Sequence, residues 1–473
     1  MNSLKNIALI PIDNRPVCYS LPLQISQINP DINLILPDRK HLGDLQNSAD
    51  VDSILKWLEK TENVDSVIIS LDTIAYGGLV SSRRGCESYE EIALRINRLE
   101  KILKEKGCKN YAFSSIMRIS NNNINEEEKE YWSHFGEKIF AYSYYSHKAE
   151  LTNSEDAKKQ AEIILSEIPE DVINDYLTTR KRNFDINKLY FNLAKENLFD
   201  TLVFSKDDCA QYGLNVKEAV LLEEEAKTIE SNILVKTGAD EIPLSLLSRA
   251  VLLGQDLKIA PVFTQPEYLD KISKYEDISV IQSVKSQIEL AGCKVCEKNE
   301  ADLIIYVNNF KTQQGELVMN VYEEGYNGDV DGFDKPYFVV DILNANGSDN
   351  CFVENILKKG IDMGKFYGYA AWNTTGNSLG SAICAAIMRK IAVYPDMDAF
   401  KRVQMIRFLD DWAYQANVRS EVKKIWKEPD VKLLKEQMKQ YEILLNIKLG
   451  TNFYDIKYKF PWDRFFEIEV LLD

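Results

Sequence analysis

The chain has 473 residues, of which 45% are hydrophobic, and its formal net charge is −16. This length predicts two or three structural units, or one large α/β core with an appendage. The acidic balance argues against a nucleic-acid partner, because the phosphates would be repelled. No apolar run is long enough for a membrane-spanning helix, and the first residues lack a signal-peptide pattern. Eight cysteines in such a chain favour a reducing cytoplasm over a disulfide framework.

Short apolar runs and amphipathic helical segments alternate over the first 380 residues. This alternation predicts parallel strands joined by right-handed crossovers. The stretch from about 125 to 200 is charged and lacks such runs, so it predicts a helical insertion between two strands. The predicted strands lie at 6–11, 33–36, 66–71, 111–117, 202–206, 233–237, 260–264, 302–307, 338–343 and 367–372.

The order of these runs predicts an α/β core over residues 1–390. A mainly helical C-terminal region, 391–473, follows and ends in an arm at 459–467. We favour a parallel (β/α)8-type barrel in which 202–206 is the fourth strand. The alternative is two doubly wound α/β lobes with a boundary near residue 200. Both architectures place functional groups at the carboxyl ends of strands.

The sharpest chemical signal is the acidic pair Asp207 and Asp208, which directly follows one of the predicted strands. Two close carboxylates push their pKa values apart, and this provides one acid and one base. Hydrolysis of a glycosidic bond uses such a pair. The alternative is an N-cap role for Asp208 beside an ion-paired Asp207.

Polar residues also follow the first and third predicted strands. Asp13, Asn14 and Arg15 can form a donor and acceptor rim for a polyhydroxylated or anionic ligand. Their structural alternative is an Asx-turn with an internal Arg–Asp pair. Asp72 ends the third strand, and Tyr76 can stack on a sugar ring or pack in the core.

An arginine and a second acidic pair end two further strands. Arg118 follows a wholly apolar run, so it should pair with Asp72 or Asp207 or bind an anion. Asp240 and Glu241 precede a predicted helix, where the helix dipole alone favours acids. All of these side chains are candidates for the wall of one pocket.

The last two predicted strands end in amides, acids and glycines. Asp341 and Asn346 follow one strand, and Trp372, Asn373 and Asn377 follow the other. An aromatic face beside carboxamides is typical of a sugar subsite. The turn at 376–380 could instead hold a phosphate at a helix N-terminus, or be purely structural with a tryptophan in the core.

No cofactor is predicted from the sequence. Only three histidines are present, without a zinc-binding spacing, so a histidine-rich zinc site is not expected. Dinucleotide and P-loop glycine patterns are also absent. The acids Asp72, Asp207, Asp208 and Asp341 leave an all-oxygen Mg²⁺ or Mn²⁺ site as an alternative.

Several motifs in combination resemble one bacterial family, which is catalogued only as a domain of unknown function and is often found near carbohydrate uptake genes. The resemblance spans nearly the whole chain and implies no established activity. Separately, the acidic pair is similar to that of substrate-assisted N-acetylhexosaminidase barrels, where one acid orients the acetamido group and the next protonates the leaving oxygen. The family motifs are Ile12-Asp-Asn-Arg-Pro16, Tyr76-Gly-Gly-Leu79, Asp207-Asp208 with Tyr212-Gly213, Gly238-Ala-Asp-Glu241, Trp372-Asn-Thr-Thr-Gly-Asn377 and Phe460-Pro-Trp462.

Together these features predict a cytoplasmic glycoside hydrolase that acts on a small saccharide, with N-acetylated sugars in its range. Asp208 would be the general acid, and Asp207 the base or orienting group. The alternatives are a metal- or phosphate-dependent enzyme on a two-lobed α/β scaffold, and a non-catalytic sugar-binding protein. The expected partner is a small carbohydrate, with neither nucleic acid nor membrane, and the sequence does not set the oligomeric state.

Overall fold

The computed structural model describes residues 4–207, 209–229, 232–328, 330 and 333–472. Its longer strands form two separate parallel sheets, one of six strands and one of five. We call the parts of the chain built on these sheets the first and second lobes.

The six-stranded sheet of the first lobe has the order β2-β1-β3-β4-β5-β6. Its strands are mainly apolar in their central residues, because both faces of the sheet are covered. In β1, Ile7 and Leu9 belong to one hydrophobic cluster, and Ala8 and Ile10 belong to another. The strands are β1 (Lys5–Ile10), β2 (Ile32–Ile35), β3 (Ser66–Ser70), β4 (Lys109–Ile116), β5 (Thr201–Lys206) and β6 (Ile233–Thr237).

Ten helices accompany this sheet, and their ends follow local capping rules. For example, the Ser88 hydroxyl and the Glu91 carboxylate form a capping box at the start of α5. Three of the helices, α6 to α8, occupy the stretch between β4 and β5 where the sequence predicted a helical insertion. The helices are α1 (Ser20–Ser26), α2 (Val51–Lys60), α3 (Leu71–Tyr76), α4 (Leu79–Arg84), α5 (Tyr89–Lys106), α6 (Trp132–Thr152), α7 (Glu155–Ser166), α8 (Glu170–Lys195), α9 (Leu214–Lys227) and α10 (Ile242–Leu252).

The second lobe contains the five-stranded sheet, in the order β13-β11-β9-β7-β8. A short parallel pair, β10 with β12, lies beside it, and the antiparallel pair β14 with β15 belongs to the C-terminal arm. The strands are β7 (Lys258–Phe263), β8 (Lys294–Val295), β9 (Leu303–Asn308), β10 (Gly315–Glu316), β11 (Tyr337–Asp341), β12 (Asn344–Ala345), β13 (Phe366–Ala370), β14 (Lys457–Lys459) and β15 (Glu469–Leu471).

The remaining helices belong to the second lobe and the C-terminal region. Between α14 and α15 the helix continues as a π-helical segment, Phe408–Val418, with wider turns. The helices are α11 (Val280–Leu290), α12 (Asn350–Lys359), α13 (Thr375–Ile391), α14 (Met397–Arg407), α15 (Arg419–Ile425) and α16 (Val431–Leu449).

The favoured barrel is not the arrangement that the described strands adopt. A barrel needs one closed ring, whereas each of these sheets has two ends and the chain leaves the first sheet after β6. The architecture corresponds to the two-lobed alternative, with parallel α/β sheets in both lobes. The predicted boundary near residue 200 is wrong, because β5 and β6 still belong to the first sheet and the second sheet begins with β7. In each sheet the second strand lies on one side of the first and the third strand lies on the other.

Two helices join the lobes into one hydrophobic core. Helix α10 is apolar on all sides, as expected for a helix buried between layers. It packs against β3 and β4 of the first lobe and against α13, which in turn packs on β11 and β13. One hydrophobic cluster therefore includes both Ile68 of β3 and Val339 of β11.

No helix among the described residues combines the length and apolarity that a bilayer crossing requires.

Close packing of α10 against α13 depends on Gly380. A Cβ atom on Gly380 would lie 2.6 Å from Cβ of Glu241, the residue that precedes α10. We therefore expect Gly380→Ala to lower the free energy of unfolding by about 1–3 kcal/mol, as measured by urea denaturation. Gly364→Ala in an exposed turn is the matched control and should change it by less than about 0.5 kcal/mol. Equal stability of the two variants would contradict this packing.

Candidate functional site

A cavity of about 280 Å³ lies between the lobes. Its first-lobe wall consists of residues at or after the carboxyl ends of β1, β4, β5 and β6, together with Leu79 and Val80 at the start of α4. Its second-lobe wall comes from the segments after β7, β12 and β13, and the C-terminal arm closes one side. Ligands of open α/β sheets bind at such strand ends. The principal polar and aromatic residues of the wall are Arg15, Arg118, Glu127, Lys206, Asp207, Asp240, Glu276, Asn346, Asn373, Asn377, Trp462 and Arg464.

Arg15 is the centre of a buried ionic cluster on this wall. Its guanidinium contacts Asp13 at 2.8 Å and Asp240 at 2.6 Å, and only 6% of the residue is exposed. The same guanidinium lies 5.1 Å from the centre of the Trp462 ring. Asn14 accepts a hydrogen bond from the Trp462 indole at 2.7 Å. Strand ends β1 and β6 are thus tied to each other and to the C-terminal arm.

Glu127 lies among three arginines beside the cavity. Arg118 and Arg464 each contact its carboxylate at 2.8 Å, and Arg83 does so at 3.2 Å. Burial alone would raise the pKa of Glu127, but the three guanidinium groups lower it well below its usual range. The loop after β4 is therefore held against the cavity by charge.

Of the predicted catalytic pair, the structure describes Asp207. Its carboxylate lies on the cavity wall, 3.5 Å from the Arg118 guanidinium. The predicted pairing of Arg118 with Asp207 is thus present. Asp208 lies outside the described residues, and its role stays a prediction.

Bonds on both sides of Glu276 join its loop to the segment that contains Asp207. The Tyr275 carbonyl accepts a hydrogen bond from the Cys209 N–H at 3.3 Å. Asp277 pairs with Lys206 at 2.5 Å. Residues that flank Glu276 are therefore bonded to residues that flank the acidic pair, and both carboxyl groups reach one cavity.

The Glu276 carboxyl group is buried and bonded through both oxygens. Oε1 accepts a hydrogen bond from the Gly376 N–H at 2.9 Å, and Oε2 is hydrogen-bonded to the Ser283 hydroxyl. Burial raises the pKa of Glu276 to about 7, against the lowering effect of these bonds. Near neutral pH this side chain can therefore hold a proton and release it.

Three amide side chains lie on the second-lobe wall. Asn346 and Asn373 have positive φ values of 62° and 56°, and the Asn346 N–H donates to the Asn373 carbonyl at 2.8 Å. Asn377 is in the first turn of α13, where its backbone N–H donates to the Thr374 hydroxyl at 3.3 Å. These predicted residues all line the cavity.

Trp372 does not line this cavity. It is 3% exposed and its ring packs at 6.3 Å from the ring of Phe466. Asn373 adopts a left-handed conformation directly after it, and the chain then turns towards the cavity. The aromatic wall is formed instead by Trp462 and Phe466 of the C-terminal arm.

Asp13 and Asn14, which contact Arg15 and Trp462, lie outside the cavity wall. Four further predicted residues also lie outside it, each in a structural role. Helix α3 begins directly after β3, so Asp72 turns back and accepts a hydrogen bond from the Ser115 N–H at 2.8 Å. The Tyr76 ring packs under the Arg182 guanidinium, 5.4 Å away.

The other two are Glu241 and Asp341. Glu241 accepts a hydrogen bond from the Gln287 side chain at 2.9 Å beneath α13. Asp341 accepts one from the Asn308 side chain at 2.9 Å and one from the Asp349 N–H at 2.6 Å. Neither side chain lines the cavity that Asp207 lines.

The proposed all-oxygen metal site does not assemble from the residues that the structure covers. Asp72 and Asp341 are bound elsewhere, and no group of three or more His, Cys, Asp or Glu among the described residues is arranged to hold a metal ion. Asp208 lies outside the described residues, so this result does not include it.

The sequence did not single out Glu127, Glu276 or Arg464. Glu276 follows a predicted strand at a distance of more than ten residues, so no strand end pointed to it. A usable signal was the pair Glu276-Asp277 in a loop that also carries Ser273 and Tyr275.

Several buried carboxyl groups predict a pH-dependent stability. Burial raises the pKa of Asp72 to about 7 and that of Glu241 to about 8. The folded chain then binds more protons than the unfolded chain between about pH 5 and 8, so the free energy of unfolding should fall as pH rises through this window. Urea denaturation at pH 5 and pH 8 measures this.

Glu241→Gln should reduce that pH dependence, because it removes one of the groups that must lose a proton. Glu90→Gln on the exposed start of α5 should leave it unchanged. A wild-type protein that gains stability from pH 5 to pH 8 would contradict the raised pKa values.

Family comparison gives one assignment. No curated protein matches the chain. A family model described as "Protein of unknown function (DUF4127)" matches residues 7–471, which is nearly its whole length. The resemblance to a family of unknown function is thus confirmed, and the chain belongs to the DUF4127 family.

Proposed function

We propose that the protein is a glycoside hydrolase that acts on a small saccharide, with N-acetylated sugars in its range, by carboxylate acid/base chemistry. The observation that carries this proposal is that the side chains of Glu276 and Asp207 both line one cavity. Glu276 is buried and its pKa is raised to about 7, whereas Asp207 faces the Arg118 guanidinium. Two carboxyl groups in such different environments provide an acid and a base.

The lining of the cavity supports a sugar as substrate. It combines amide side chains, carboxylates and guanidinium groups with the Trp462 and Phe466 rings. A volume of about 280 Å³ is near the lower end of small-molecule sites, which range over about 300–1,000 Å³. This suits one or two sugar rings, whose hydroxyl groups both donate and accept hydrogen bonds.

We assign the general acid to Glu276 and the base or nucleophile to Asp207. A carboxyl group with a pKa near 7 keeps its proton in part of the neutral range, so it can protonate the leaving oxygen. In a retaining or inverting glycosidase the second carboxylate attacks the anomeric carbon or activates water. Asp208, next to Asp207, remains a candidate for the same step.

We also propose a cytoplasmic location. No disulfide joins any of the eight cysteines, all of which are described, and a chain of this length without disulfides suits a reducing compartment.

A panel of nitrophenyl glycosides, including the N-acetylglucosamine and N-acetylgalactosamine derivatives, tests the activity. Hydrolysis of at least one member is expected. With a disaccharide or alkyl glycoside of the same sugar, whose leaving alcohol must be protonated, Glu276→Gln should lower kcat by about 10²–10⁴-fold. Asp207→Asn should have a comparable effect. Asp270→Asn, on an exposed loop, is the matched control and should keep wild-type kcat.

The pH profile separates catalysis from a structural role. Since the acid must be protonated, kcat/KM of the wild-type enzyme should fall as pH rises through about 7, in line with the raised pKa of Glu276. Residual activity of Glu276→Gln should lack that decline. Turnover of no glycoside in the panel, or an unchanged profile in the variant, would rule out this mechanism.

A further inference from the structure

We propose that the cavity selects an uncharged saccharide over phosphorylated or carboxylated sugars, and that Asn377 positions it by accepting a hydrogen bond from a hydroxyl or amide N–H. This inference rests on the proposed function, because it takes a sugar as the ligand. It adds the charge class of the substrate and one residue that determines specificity.

The cations of the first-lobe wall are already paired with carboxylates. Arg15 contacts Asp13 and Asp240 at 2.8 and 2.6 Å. Lys206 contacts Asp277 at 2.5 Å, and the Thr237 hydroxyl donates to the same carboxylate at 2.9 Å. An anionic ligand would have to compete with these internal partners, which are held in place by the fold.

The same holds for the arginines nearest the C-terminal arm. Arg118 and Arg464 share the Glu127 carboxylate, and Arg118 also contacts Asp207. Displacing a buried carboxylate leaves it without its partner, and that cost offsets the gain from the new ion pair. A ligand without charge avoids the exchange.

The N-terminus of α13 is also closed to an anion. Its Gly376 N–H donates to Glu276, and its Asn377 N–H donates to the Thr374 hydroxyl. A phosphate at a helix N-terminus needs such N–H groups. Here the protein's own side chains occupy them.

Among the described residues, Asn377 adds an unsatisfied acceptor to the cavity wall, where the buried Nε of Arg464 is an unsatisfied donor. Asn377 lines the cavity and is 3% exposed, and its Nδ2 donates to the Thr374 hydroxyl at 3.1 Å. Its buried Oδ1 accepts no hydrogen bond from any described residue. Buried acceptors are normally satisfied, so a donor from a bound molecule is the fitting partner. Sugar hydroxyl and acetamido groups supply that donor without charge.

Calorimetric titration of the full chain tests the charge class. The probes are glucose, galactose and N-acetylglucosamine, each beside its 6-phosphate, with glucuronic acid as a carboxylated analogue. We expect at least one neutral sugar to bind and its anionic analogue to bind at least tenfold more weakly. Tighter binding of the anionic member of any pair overturns this inference but leaves a hydrolase on anionic sugars possible.

Variants of Asn377 test the positioning role. Asn377→Ala should weaken binding of the neutral sugar by about tenfold or more, because one buried hydrogen bond is lost. Asn377→Asp keeps an acceptor oxygen and should retain most of the affinity, while binding anionic sugars still more weakly. Asn97→Ala, on the exposed face of α5, is the control and should bind as the wild type does.

The outcomes separate the two proposals. Wild-type affinity in Asn377→Ala, or equal losses in the Ala and Asp variants, overturns the role of Asn377. Selective binding of neutral sugars without hydrolysis of any glycoside supports the inference and overturns the proposed activity. Binding of no sugar in the panel overturns both.

Discussion

The arrangement of the site depends on the buried guanidinium of Arg15. It joins a carboxylate after β1, Asp13, to a carboxylate after β6, Asp240, and it lies over the ring of Trp462 in the C-terminal arm. Removing one member of such a cluster leaves an uncompensated buried charge, which costs about 3–5 kcal/mol. Three segments that are distant in sequence are therefore fixed together at one point. The cavity wall is built around that point.

The topology explains why the cavity is between the lobes. In each sheet the strand order reverses next to its first strand, at β1 in the first lobe and at β7 in the second. Connections leave in opposite directions at such a reversal, so a crevice opens at the carboxyl ends of the strands. Helices α10 and α13 hold the two sheets against one core, so residues beyond the carboxyl ends of strands in both sheets border the same cavity. Neither lobe alone would enclose it.

The local elements could be predicted from the sequence, but the pairing of the strands could not. All ten apolar runs correspond to strands, since a parallel strand covered on both faces is recognisable from its composition. Strand order depends on contacts between distant residues, and both a barrel and two lobes satisfy the same local pattern. The local pattern could not distinguish the two architectures, and the barrel that was favoured is not the one that the strands form.

The same limit explains which of the predicted site residues line the cavity. Arg15, Asp207, Asp240 and Asn377 line the cavity because each follows a strand that opens towards it. Asp72 also follows a strand, yet helix α3 begins at once and turns its side chain to β4. The backbone path directly after each strand therefore determines whether its side chain lines the cavity.

Aromatic residues and long loops were harder to place. The backbone is left-handed at Asn373, directly after Trp372, and at Trp462 itself. Of the two tryptophans, only Trp462 in the C-terminal arm lines the cavity. Glu276 lies in a loop whose position is set by the Lys206–Asp277 pair, a contact across the lobes. Neither position follows from the pattern of a single segment.

The protonation of Glu276 results from competing effects. The Gly376 N–H at the start of α13 and the Ser283 hydroxyl favour the carboxylate form, whereas burial favours the neutral acid. Lys206 would also favour the carboxylate, but its charge is neutralised by Asp277 at 2.5 Å. Burial therefore prevails, and the pKa lies near 7 rather than near the usual value of a glutamate. Closure of the cavity by the second lobe and the C-terminal arm is thus what makes this carboxyl group suitable as an acid near neutral pH.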